Sequence, residues 1–142
     1  MKILAVLAAG LLLLNPVHAE VSIITNGHSL ATTCQTALAA LEQSAGASTE
    51  NVQGDAFVCM AFLGGLMGAA QQANELARLR FAVATGGHPT EKPFTLYCFD
   101  WQLPLGQVAR LILDFAKHHP GLLQRPAQDL ALRALQSAFP CQ

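Results

Sequence analysis

The stretch AFVCMAFLGGLMGAAQQANELARLRF, residues 56–81, is the longest helical pattern in this 142-residue chain, and its reading decides the fold class. From Phe57 to Ala70 it is apolar on almost every face, which predicts a central buried helix. Its second half carries Gln71, Gln72, Asn74, Glu75, Arg78 and Arg80 and reads as solvated on one side. Gly64, Gly65 and Gly68 each cost about 1 kcal/mol of helix propensity against alanine. Glycines kept at that cost lead us to expect a close backbone neighbour. Gly64 and Gly68 match the G-x-x-x-G spacing of membrane helix pairs, but the polar half that follows argues against a membrane span. Asp55 is the expected N-cap, since its carboxylate can accept orphan backbone N–H bonds.

Working outward, Leu30, Cys34, Leu38 and Leu41 recur at steps of four, four and three, which predicts an amphipathic helix over Ser29 to Gln43. Ser44 to Gly54, rich in Ser, Ala, Gly, Thr and Asn, reads as a loop. Ala84 to Pro93 holds Gly86, Gly87, Pro89 and Pro93 and is not expected to be helical. Phe94 to Trp101 reads as an extended packing segment around Cys98, with no partner strand in view. A third helix is expected over Leu105 to His118, its stripe formed by Val108, Leu111, Ile112 and Phe115, and His119-Pro120-Gly121 stops it. Pro126 suits the first turn of a last helix, with Leu130, Ala134, Leu135 and Ala138 facing inward. Phe139-Pro140-Cys141 then pins the terminus. The expectation is an all-α fold, a compact bundle of about four helices.

The first nineteen residues form a different unit. Lys2 precedes an apolar run from Ile3 to Leu14, Asn15-Pro16 breaks it, and Val17-His18-Ala19 offers a cleavage site. That is the layout of a secretory signal peptide, and the run is short of the roughly 20 apolar residues of a membrane span. The expected organisation is a signal peptide over 1–19 and one domain over 20–142. With Lys2 gone, seven basic and nine acidic residues leave a net charge of −2, scattered along the chain. Nucleic-acid binding and attachment to anionic membranes have no electrostatic support.

Four cysteines, Cys34, Cys59, Cys98 and Cys141, stand 25, 39 and 43 residues apart. In a small exported chain they read as two disulfides, and the spacing lacks the close pairs of a zinc site. Three connectivities are open, although a simple up-and-down bundle places Cys98 and Cys141 at the same end. No catalytic motif appears: no G-x-S-x-G elbow, phosphate loop or H-E-x-x-H. His118 and His119 fit a helix C-terminus, where positive charge is favourable, and Asp114 with Lys117 fits an exposed ion pair. The residues read as a binding protein that is not an enzyme, with no cofactor or metal.

The run Tyr97-Cys98, Leu105-Gly106-Gln107-Val108, Phe115-Ala116-Lys117-His118-His119-Pro120, Pro126-Ala127, Ala134-Leu135 and Phe139-Pro140-Cys141 resembles the Rap/Tai family of immunity proteins. Cys59-Met60-Ala61-Phe62-Leu63-Gly64 is similar to that family's cysteine, aromatic and glycine at the start of its central helix. Ala61 and Phe62 stand where the family usually has glycine and tyrosine. Asp100 stands where a proline is common, the proline here being Pro104. The resemblance implies a periplasmic protein that binds and occludes a cysteine-dependent peptidoglycan amidase effector of type VI secretion. It also implies a homodimer in several members. For such an inhibitor the candidate presenting element is Thr85, Gly86, Gly87, His88, Pro89, Thr90, Glu91, Lys92, Pro93 and Phe94, polar and stiffened by proline. The family's likeness to the acid-stress chaperone HdeA implies the pairing Cys59–Cys141 and Cys34–Cys98. An HdeA-like stress chaperone is one alternative function, though its acid trigger asks for many groups titrating near pH about 4–6, and few are present. An exported orphan binding protein with no toxin partner is the other.

Overall fold

In a computed structural model the described residues are 23–42, 50–86, 96–99 and 102–141. They form four helices: α1 (Gly27–Glu42), α2 (Glu50–Ala84), α3 (Leu105–His118) and α4 (Ala127–Ala138), with a 3-10 turn over Pro120–Leu122 between the last two. The all-α expectation holds, and no strand occurs among the described residues. The expected signal peptide lies outside the described residues.

Local chemistry explains how α1 starts. The Asn26 side-chain oxygen accepts the Ser29 N–H at 2.9 Å, while Ser29 Oγ accepts the N–H groups of Thr25 and Asn26 at 3.0 and 3.1 Å. This reciprocal cap satisfies donors that a helix start leaves unpaired. Further donors of the first turn go to another element: Gly27 N–H to Arg125 C=O at 2.9 Å and His28 N–H to Leu123 C=O at 2.8 Å. A side chain at position 27 would bring its Cβ within 2.5 Å of the Leu122 carbonyl oxygen, so only glycine fits this approach.

From that anchor α1 runs through the middle of the bundle and touches α2, α3 and α4. Leu30, Cys34, Ala37 and Leu38 are buried on it, as are Val108, Ala109, Ile112 and Ala116 of α3 and Leu130, Ala131, Ala134 and Leu135 of α4. Alanine at so many of these sites lets the three shorter helices approach closely. The α3 and α4 stripes follow the expectation, with Leu111 and Phe115 partly buried and Ala138 exposed. In α1 the stripe rotates slightly, so Leu41 points to solvent and Ala37 takes its place.

The cysteine pairing corrects the family-based expectation. The bonds are Cys34–Cys59 and Cys98–Cys141. The first joins adjacent helices α1 and α2. The second closes the end where the chain enters α3 and leaves α4, as antiparallel helices require.

Three expectations for α2 also fail. It begins at Glu50, inside the expected loop, so Asp55 lies within the helix and is not its N-cap. Its 35 residues span roughly 52 Å at 1.5 Å each, more than twice the length of α3. It is not the central buried helix either: among its described side chains only Cys59, Leu63, Met67 and Ala70 are buried. A Cβ at Gly65 or Gly68 would meet nothing within 4 Å, so no backbone among the described residues approaches them. The sequence misleads here because both faces of α2 are apolar and periodicity alone cannot say which faces the core.

The Gly27 seat makes a direct prediction. Gly27→Ala should displace the turn after α3 and lower stability by about 1–3 kcal/mol in urea unfolding. Gly121→Ala, which meets open space, should change it by less than about 0.5 kcal/mol. Equal effects would show that the seat is not close-packed.

Candidate functional site

Of the candidate presenting segment, Thr85 and Gly86 are described and residues 87–94 lie outside the described residues. What the structure does define is how the chain enters and leaves that segment. At the entrance, Thr85 Oγ1 donates to the Phe81 carbonyl at 2.9 Å, and the Thr85 N–H donates to the same oxygen at 3.0 Å. Gly86 then takes a left-handed turn (φ 68°), the geometry that ends helices and that side chains resist.

At the exit, Asn74 holds the chain. Its Oδ1 accepts the Leu96 N–H at 2.8 Å and the Tyr97 N–H at 3.0 Å, and its Nδ2 donates to the Tyr97 carbonyl at 2.7 Å. One amide thus pairs three backbone groups that have no helix or sheet to bond them. Tyr97 and Phe99 rings lie 6.0 Å apart, and Phe99 is buried under the bundle. In the sequence Asn74 reads only as part of a solvated face. The signal in the sequence was slight: a residue of poor helix propensity kept in the middle of a long helix.

Beside this clamp lies an open apolar cleft of about 630 Å³, lined by Ala73, Leu76, Ala77, Arg80, Phe81 and Leu96. Exposed apolar surface continues along α2. Phe57, Leu76, Leu79 and Val83 are 75, 58, 59 and 83 % exposed. Surface of this kind marks interaction sites more often than solvent-facing decoration.

The polar side chains offer little chemistry by comparison. His118 Nδ1 lies 3.0 Å from the Asp114 carbonyl, and His119 Nδ1 lies 2.9 Å from that of Phe115, whose ring it stacks on at 3.8 Å. Both histidines therefore close the end of α3, as expected. Asp114 and Lys117 pair at 3.5 Å on the surface, and Glu42–Arg110 and Arg125–Asp129 are likewise exposed pairs of small worth. Among the described residues no three of His, Cys, Asp and Glu gather. All four cysteines are consumed by disulfides, so none offers a free thiolate. The geometry offers surfaces for binding a protein.

A protein-family model described as Rap1a immunity proteins matches residues 26–141. No curated protein and no solved structure matches the chain.

The Asn74 clamp is testable without a partner. Asn74→Ala should cost about 1–2 kcal/mol and speed amide exchange at Leu96 and Tyr97, leaving Leu130 and Leu135 protected. Asn74→Asp should fall between, since it keeps two accepted bonds and loses the donated one. Unchanged exchange at Leu96 and Tyr97 in Asn74→Ala would contradict the assigned role.

Proposed function

This chain belongs to the Rap1a immunity protein family, and from that premise we propose that it is a periplasmic inhibitor of a peptidoglycan amidase delivered by type VI secretion. It protects the cell by binding the effector and occluding its active-site groove. The observation that carries the reading is the extent of the family match, which takes in all four helices and all four cysteines.

Several features support the finer parts. Two disulfides call for an oxidising compartment, in keeping with a signal peptide cleaved after Ala19 and a periplasmic site of action. A groove-blocking inhibitor gains from a rigid base, because a preordered element loses little entropy on binding. The segment Thr85 to Phe94 has such a base, with Gly86 turning the chain at one side and Asn74 holding Leu96 and Tyr97 at the other. We place the effector contact on that segment. Binding rather than catalysis is favoured because all four thiols are oxidised and, among the described residues, no three of His, Cys, Asp and Glu gather. Likeness to the family also implies a second copy of the chain as a partner.

The test is capture of the tagged protein from periplasm mixed with effectors secreted by sister cells, followed by mass spectrometry and an amidase assay. One stoichiometric cysteine amidase, silent in the complex, is the expected result, and deletion of residues 1–19 should abolish protection. No partner under oxidising conditions would leave an orphan binding protein. A mixture of unrelated clients captured only at acid pH would point instead to a chaperone.

A further inference from the structure

The two disulfides stand in opposite surroundings. Cys34 and Cys59 are 1 and 0 % exposed and join α1 to α2 inside the core. Cys98 and Cys141 are both exposed and lie outside the helices. Exchange requires a thiolate to reach one of the two sulfurs, so access decides which bond can open while the protein stays folded. The buried bond is closed to a reagent until the bundle opens. The exposed bond is not.

Local structure also makes the two halves of the exposed bond unequal. Cys98 is held from both sides. Asn74 bonds the backbone of Leu96 and Tyr97 just before it, and Phe99 just after it is buried under the bundle. Cys141 lies in the tail beyond α4, whose last turn closes where the Phe139 N–H donates to the Leu135 carbonyl at 2.9 Å. Pro140, between that turn and the cysteine, has no N–H to give. The packing of the bundle does not run through this bond. Val108 and Ile112 of α3 and Leu130 and Leu135 of α4 are buried against one another and α1, and Cys34–Cys59 ties α2 to α1.

We propose that Cys98–Cys141 is a thiol–disulfide exchange site, opened and reclosed in the folded protein by an oxidoreductase that carries a C-x-x-C dithiol. One thiolate of that dithiol attacks Cys141 Sγ and forms a mixed disulfide. The Cys98 sulfur leaves with the bonding electron pair and takes up a proton. The second thiolate of the partner then attacks its own half of the mixed disulfide, and Cys141 leaves and is protonated in turn. Two electrons and two protons have passed to the chain, which ends as two thiols, while the partner ends as a disulfide. A paired dithiol suits the site because the resolving thiol arrives with the attacking one, and the C-x-x-C setting lowers the attacking thiol's pKa.

The fold makes the step reversible. Cys98 stays in the frame set by Asn74 and Phe99, so only the tail beyond α4 has to return for the bond to reclose. A thiolate released at either position finds no accessible sulfur in the buried pair, so opening does not scramble the disulfides. The exchange needs no effector, and its failure would leave the inhibitor reading standing.

The test uses the disulfide-bonded protein with thioredoxin, its reductase and NADPH, followed by alkylation with N-ethylmaleimide and peptide mass mapping. Cys98 and Cys141 should be labelled at least about 100-fold faster than Cys34 and Cys59, with helical circular dichroism unchanged. Amide exchange should rise at Phe139 and stay slow at Leu130. A thioredoxin variant lacking its second cysteine should be caught as a mixed disulfide on Cys141. The double variant Cys98→Ser, Cys141→Ser should keep its helical signal and take up no label. Equal labelling of all four cysteines, labelling only after the helical signal is lost, or capture on a cysteine other than Cys141 would overturn the proposal. So would labelling of the double variant at the wild-type rate.

Discussion

The seat of α1 on the turn between α3 and α4 is the contact on which the remaining packing depends. Gly27 lets the helix start touch the Leu122 carbonyl, and the backbone donors of residues 27 and 28 are satisfied there. With its N-terminus fixed, α1 becomes the shared wall of the core. It meets α3 and α4 through alanine-rich stripes and holds α2 through the buried Cys34–Cys59 bond. The bond lies in the middle of the apolar core, where it stabilises by restricting the unfolded chain, by about 3 kcal/mol for a loop of this length. The Cys98–Cys141 bond does the same work at the far end, holding the entry to α3 against the exit from α4.

This plan leaves α2 with more apolar surface than the core can take. Its inner stripe of Cys59, Leu63, Met67 and Ala70 packs mainly on α1 and secondarily on α3, while the helix runs well past both. A chain in which 52 % of residues are hydrophobic and 12 % are charged has little polar surface with which to cover the remainder. The excess is gathered along one helix, not scattered, and it neighbours the base of the segment we assign to the effector. A small immunity protein benefits from that division: one set of contacts makes the scaffold stiff, and separate surfaces remain free for partners.

Much of this was legible in the residues, and the misses share a cause. Helices α3 and α4 were readable to within a residue or two because each carries a single apolar stripe closed by proline or histidine. α2 reads from the sequence as a long helix at the centre, because a pattern apolar all round has no phase. The glycines at 65 and 68 suggest close approach, yet among the described residues nothing lies within 4 Å of a Cβ placed there. The cysteine count announced two disulfides, whereas their pairing depended on which helices are neighbours, and that is a property of the packed bundle. The Asn74 clamp escaped notice because it joins residues more than twenty positions apart.

The proposed function, inhibition of an amidase by stoichiometric occlusion, is tested most directly by one titration. Increasing amounts of the disulfide-bonded protein would be added to the purified effector amidase while cleavage of peptidoglycan peptide stems is followed. Loss of activity that is linear and complete at one inhibitor chain per amidase is the predicted result. Undiminished cleavage in the presence of excess inhibitor chain would contradict the account.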